Sequence, residues 1–200
     1  TSLGRSSLEY QSSDGTDLRA GLLRDGLFAA GEEKTLSGIS FNPNIPSEEV
    51  FTSPKRGEAE GIVYSTKPLS YQGQLIRNFS VRFEQGRAVE VHASAGEDVL
   101  KKMIEMDESA SYLGECALVP YDSPVNASRV LFYNTLFDEN AACHLALGRG
   151  FTNCVRGYAE KSDEELHAMG INDSMIHVDF MIGNDDLYID GVTDTGARHP

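Results

Sequence analysis

The chain has 200 residues, enough for one domain, or for one large and one small, and its 40% hydrophobic and 24% charged content excludes a disordered or fibrous chain. Its formal net charge of −14 leaves no cluster of Lys and Arg that could follow a phosphate backbone, so nucleic acid is set aside as a partner and a well-solvated surface is expected. Three cysteines (Cys116, Cys143 and Cys154) are too few and too odd in number for a disulfide framework, no apolar window reaches the length of a membrane span, and no basic-then-apolar leader is present. The expected compartment is the cytoplasm, with no membrane partner.

The chain opens without Met, as a piece of a longer protein would. Residues 1–94 read mostly as strands and turns. Asp14-Gly15 is a turn signal, and Gln72-Gly73 and Gln85-Gly86 read as hairpin turns between short apolar stretches. By the two-residue strand period, Val81 and Phe83 share one face, as do Val89 and Val91. Residues 96–110 have Val99, Leu100, Met103, Ile104 and Met106 at helical spacing, with both methionines as core filler. A second helix is expected over 136–149, capped by Asp138, with Ala141, Ala142, Leu145 and Ala146 as its compact face. Ser162 followed by Glu165 is a capping box that opens a short helix. Residues 174–183 read as a strand, and the Asp-Leu-Tyr-Ile-Asp-Gly run after it as its hairpin neighbour. The layout predicts an α+β fold, rich in antiparallel sheet, with a few packed helices.

The sharpest local feature is His177-Val178-Asp179. Residues two apart in a strand share a face, so an imidazole and a carboxylate project together while Ile176, Val178 and Phe180 point into a core. Such a pair suits Zn2+ or Co2+, and it equally suits a His–Asp hydrogen bond on a surface strand. His144 lies among small apolar residues, whereas His92 ends a strand, His167 lies on a short polar helix and His199 near the end of the chain. Glu115 enters an apolar run, where a carboxylate must be paired or ligated. Of the adjacent Glu48 and Glu49, at most one can enter a site. Glu58 and Glu60 read as solvated, and Asp122 and Asp138 as turn or cap residues. Two histidines and three carboxylates can hold two divalent ions that share a water and lower its pKa.

Four stretches resemble signature segments of the aminopeptidase T and aminopeptidase S family of metalloaminopeptidases, in the family's order. They are NIPSEEVFTSPKRGEAEG, YLGECALVPYDSPVN, LFYNTLFDENAACHLALG and MIHVDFMIG, and with the stretches between them they cover nearly the whole chain. The resemblance implies a C-terminal catalytic, metal-binding domain over residues 1–200, cut slightly short at its end, with the family's N-terminal domain absent. It implies a cytoplasmic exopeptidase, a homodimer when full length, that uses two divalent ions, zinc or cobalt, to cleave short peptides with a free N-terminus. By the resemblance, Glu49, Glu115, His144, His177 and Asp179 are the metal ligands, and Glu49 and Glu115 also have catalytic roles. Asp179 or Glu115 is the expected bridge between the ions. The family's tyrosine seven residues after the first histidine is Phe151 here, which keeps the ring and loses the hydroxyl; Tyr158 is a nearby substitute. This departure and the absent domain leave a second reading, a weak or inactive metal-binding or assembly domain of the same fold.

Overall fold

A computed structural model describes residues 5–42 and 48–200. Residues 1–4 and 43–47, and with them the start of the first signature segment, lie outside the described residues. Two antiparallel sheets share one core. The larger runs, neighbour to neighbour, through Arg87–Ala95, Gln74–Glu84, Pro54–Tyr64, Asp17–Leu22, Arg5–Gln11, Tyr188–Thr193 and Arg198–His199, with Leu69–Tyr71 also paired to Gln74–Glu84. The smaller runs through His177–Met181, His144–Gly148, Leu113–Leu118, Val50–Thr52 and Ala29–Ala30. The predicted fold class is thus the observed one.

Strand periodicity explains how the two sheets meet. Cys116, Leu145, Leu147, Val178 and Phe180 alternate onto one face of the smaller sheet and join Leu18, Val63, Phe79, Val81 and Phe83 of the larger in one buried cluster. Phe79 and Phe180 touch across the layers with ring centroids 5.7 Å apart. Each such side chain contributes roughly 1.5–3 kcal/mol through burial. The other face of the smaller sheet is thereby left free for polar groups.

The hairpins at Gln72-Gly73 and Gln85-Gly86 form as expected, with positive φ at both central residues of each (50° and 76°; 50° and 80°). That is the primed geometry which matches strand twist. The capping box is present: Ser162 Oγ accepts from Glu165 N and Glu165 accepts from Ser162 N.

Four expectations are corrected. Val91 is buried but Val89 is 46% exposed, because a register shift between Ala88 and Glu90 inserts a bulge that breaks the two-residue period. The helix expected over 96–110 is only Glu97–Ile104; Met103 is buried, while Met106 lies past the C-cap and is 45% exposed. The helix expected over 136–149 is instead a short helix, Thr135–Asp138, capped by Asn134 and not Asp138, then a 3-10 turn, then the strand His144–Gly148. Its alanines favour helix, but the alternation His-Leu-Ala-Leu-Gly lets a central strand pair on both sides, and that tertiary pairing overrides propensity. Finally, Tyr188–Thr193 does not pair with His177–Met181. It crosses to the larger sheet beside Arg5–Gln11, a partner far away in sequence.

Candidate metal centre

The outward face of the smaller sheet gathers the candidate residues by register. Glu115 pairs with Ala146, and Ala146 with Asp179, which forms one row across three strands. His144 lies two residues before Ala146, and His177 two before Asp179, so both imidazoles project from the same face. Ala146 between the two carboxylates, and Gly148 opposite His177, leave the space those side chains fill.

Glu115 owes its direction to a bulge. The pairing slips between Leu113 and Glu115, which places Gly114 as the extra residue. A Cβ on Gly114 would collide with the carbonyls of Arg149 and Gly148. Gly114→Ala is expected to destabilise the chain by about 1–3 kcal/mol, the range for overpacking. A urea midpoint unchanged from that of the parent would refute this reading of the bulge.

Within the group, His177 Nε2 lies 3.1 Å from Glu115 Oε2 and 3.2 Å from Asp179 Oδ1, and His144 Nε2 lies 3.1 Å from Glu49 Oε1. The opposite ring nitrogens are tied to backbone, His144 Nδ1 to Ala142 O at 3.0 Å and His177 Nδ1 to Arg149 O at 2.7 Å. With Nδ1–H donating to a carbonyl, Nε2 is aimed at the carboxylates, the orientation a metal-ligating histidine needs once Nε2 gives up its proton. Glu115, His144 and Asp179 are buried.

The electrostatics follow from that crowding. Burial disfavours charge on His144, but hydrogen bonding to Glu49 and the nearby Asp179 and Glu115 outweigh it and raise its pKa to about 10. Burial likewise opposes charge on His177, and Asp179 and Glu115 overcome it, to about 11. Desolvation raises Glu115 despite its bond to His177. For Asp179 desolvation pushes upward too, yet hydrogen bonding to His177 prevails and its pKa is lowered.

Three overlapping groups have donor atoms within 4.8 Å of one another: Glu49, Glu115 and His144; Glu115, His177 and Asp179; and Glu139, His144 and Asp179. All five residues singled out in the sequence are therefore brought together. Phe151 is beside them, its ring 4.8 Å from His177 and 5.3 Å from Phe51, and Tyr158 lines the same cleft of about 720 Å3. Glu48 is exposed and turns toward a separate apolar cavity, as expected for one of two adjacent residues. His92 is exposed beside Glu90, and Asp138 holds a turn by accepting from Phe132 N and Asn134 N.

Glu139 is the residue the sequence reading missed. It is buried and hydrogen-bonded with Asp179. The available signal was its position as the last acidic residue before a stretch, residues 140–148, with no Asp, Glu, Lys or Arg.

The donor set fits divalent ions. Four carboxylates crowd against two imidazoles in a largely buried cluster, a charge imbalance that needs cations to relieve it. Asp179 Oδ1 is buried 3.2 Å from His177 Nε2, an approach too poorly aligned to satisfy it fully, which leaves an oxygen aimed into the cluster with capacity for a cation. Among the described residues, no helix is long and apolar enough to cross a membrane.

Carboxylates and imidazoles converging on one sheet face define the chain, by donor chemistry, as a divalent-metal protein. It belongs to the thermophilic metalloprotease (M29) family, whose model matches residues 1–200. It is 51% identical over 193 residues to aminopeptidase AmpS of Bacillus subtilis (strain 168), covering 96% of this chain and 47% of that protein. It is 51% identical over 179 residues to aminopeptidase 2 of Geobacillus stearothermophilus, covering 89% of this chain and 43% of that one. The structure of wild-type AmpT from Thermus thermophilus superposes with a TM-score of 0.93 at 41% identity, covering 100% of this chain and 49% of that one. The chain thus spans about half the length of the curated relatives it matches.

Proposed function

We propose that residues 1–200 form the C-terminal, metal-holding catalytic domain of a cytoplasmic aminopeptidase that hydrolyses the first peptide bond of short peptides. An N-terminal domain would precede it in cis, and the full-length enzyme would be a homodimer. The observation that carries this reading is the overlap of three donor groups over one face of the smaller sheet, whose strands supply Glu115, His144, His177 and Asp179. Family membership and the names of the relatives support peptides as substrates.

Glu49, Glu115, Glu139, His144, His177 and Asp179 would hold two ions, zinc or cobalt. When bound, such a pair polarises the scissile carbonyl and lowers the pKa of the attacking water. The chain's own residues supply the rest. The carbonyls of Ala142 and Arg149 fix the two imidazoles, so no reorientation is needed on loading. Glu115 and Asp179 each belong to two of the three groups, which supports either as the shared carboxylate. Glu49 sits against His144 and Glu115 against His177, so each is placed to accept a proton from the cleft side. Phe151 shields His177 from water without offering a hydroxyl.

The test is hydrolysis of leucyl dipeptides with free and with acetylated N-termini, before and after chelation. Turnover of the free form alone, abolished by chelator and restored by Zn2+ or Co2+, is expected. Equal turnover of the acetylated form would exclude an aminopeptidase, and no turnover of either would favour the metal-binding module.

Loading must also displace protons. With pKa values raised to about 10 and 11, both imidazoles are protonated at neutral pH, and a ligating nitrogen cannot keep its proton. Filling the site near pH 7.5 should therefore release about two protons per chain, and metal affinity should climb with pH until the titrations end near 11. Calorimetry in buffers of different ionisation enthalpy measures the release; a value near zero would contradict ligation through these nitrogens.

A further inference from the structure

Arg149 serves the site through its backbone. Its side chain is 61% exposed, yet its carbonyl accepts from His177 Nδ1 at 2.7 Å and its N–H donates to Ile176 O at 2.7 Å. The segment that carries this carbonyl, Gly148-Arg149-Gly150, has little stiffness of its own, because both flanking residues are glycine. Gly148 has a φ of +101°, and a Cβ on it would lie 2.2 Å from Ile176 O, so no side chain there can anchor the segment from within.

Asn172 anchors it from outside. It is 1% exposed and grips the segment on both sides of Arg149. Its Nδ2 donates to Gly148 O at 2.6 Å, and its own carbonyl accepts from Gly150 N at 2.8 Å. Nδ2 also donates to Ser109 O at 2.9 Å, which ties the segment to the turn ahead of Leu113–Leu118. Ser109 is held in its turn: Asp107 Oδ1 accepts from Ser109 N, and Asp107 Oδ2 from Ser174 Oγ and Met175 N, each at 2.8 Å. Two carbonyls reached by one nitrogen fix the orientation of the amide and call for two N–H donors on one atom, and Asn is the shortest side chain that offers them. Asn172 Oδ1 is buried and meets no donor among the described residues, so packing alone gives no reason for an amide here.

The same segment backs a second member of the metal group. Gly114, next to Glu115, lies so close to it that a Cβ would be 2.2 Å from Arg149 O and 2.5 Å from Gly148 O. A shift of residues 148–150 therefore moves the acceptor of His177 and the surface behind Glu115 together. We propose that Asn172 is a positioning residue of the metal centre. By clamping Gly148 and Gly150 it sets the Arg149 carbonyl that orients His177, and it acts through that carbonyl and not as a ligand. This role rests on the metal-holding reading above and not on which bond is cleaved.

The experiment measures Zn2+ affinity, by competition with a chelating dye, in the parent chain, Asn172→Ala, Asn172→Ser and Leu166→Ala. Leu166 is 2% exposed and shares a small cluster with Ile171, so its truncation loosens the neighbourhood without touching the clamp. Asn172→Ala is expected to weaken Zn2+ binding by about 10- to 100-fold, the worth of a residue that orients a ligand; Asn172→Ser, which keeps one donor, by less; and Leu166→Ala not at all. In the metal-free chain the His177 Nδ1 proton, followed by 15N NMR, exchanges with water faster in both Asn172 variants and at the parent rate in Leu166→Ala. The unaltered chain answers the question if the Asn172 variants fail to fold. Coupling between metal and clamp is reciprocal, so Zn2+ slows hydrogen exchange at Gly150 N–H and leaves Gly170 N–H, bonded to His167 O nearby, unchanged. Affinity within about twofold of the parent in both Asn172 variants, an equal loss in Leu166→Ala, or no slowing at Gly150 would overturn the role. Dipeptide hydrolysis is read on the same proteins. Its absence, with the affinity and exchange effects present, overturns the aminopeptidase and upholds Asn172; hydrolysis without those effects does the reverse.

Discussion

Glu115→Gln is expected to reduce the divalent ions held per chain from the proposed two to at most one, and to lower the proposed peptide hydrolysis by about 1000-fold, while the chain stays folded. Glu115 belongs to two of the three donor groups, so no single ion site is built without either it or Asp179. Gln keeps the volume and removes the negative charge. Losing a ligand outright should weaken metal affinity by more than about 100-fold, beyond the effect of disturbing a supporting residue. The rate falls further, because stabilisation of developing charge by a preorganised site is the largest catalytic term. The fold survives because Asp179 Oδ1 remains 3.2 Å from His177 Nε2 and still compensates the imidazolium. Equilibrium dialysis with elemental analysis gives the stoichiometry, and circular dichroism checks the fold. Two ions bound with parental affinity would remove Glu115 from the site.

Which parts of this site were legible in the sequence depends on the range of the interactions that build them. His177 and Asp179 were visible because a strand's period alone puts them on one face, with Val178 and Phe180 on the other. Glu115 stood out because a carboxylate inside an apolar run needs a partner. Their convergence with Glu49 and His144 required the resemblance, since pairing of Leu113–Leu118 with both Val50–Thr52 and His144–Gly148 is set by tertiary contacts no local pattern encodes. Glu139 was hidden by the reading of 136–149 as one helix. On that helix an early acid is a routine cap or solvated residue; in the observed turn it is buried against Asp179. The crossing of Tyr188–Thr193 to the larger sheet was invisible for the same reason as the convergence. Its partner strand lies at the other end of the sequence.

Phe151→Tyr tests the chain's main departure from the family pattern that it resembles. The Phe151 ring is held on two sides, edge-on to Phe51 at 5.3 Å and tilted against His177 at 4.8 Å, and its backbone N–H donates to Ser53 Oγ at 2.7 Å. The side chain is only partly buried in the wall of the cleft, so a hydroxyl adds a donor there without overpacking a core. A donor aimed at charge that develops only in the transition state raises kcat and leaves KM nearly unchanged. The expected gain in kcat is about 10- to 100-fold, at or just below the usual worth of one such donor. Stability should shift by less than about 1 kcal/mol. Tyr158 supplies the control, since it lines the same cleft with its hydroxyl already in place. If Tyr158 serves in the place of the absent tyrosine, Tyr158→Phe will lower kcat in the parent chain, and Phe151→Tyr will recover the loss. If Phe151→Tyr leaves kcat unchanged in both backgrounds, the hydroxyl has no part in the transition state of the proposed reaction, and Phe151 acts there only as a wall.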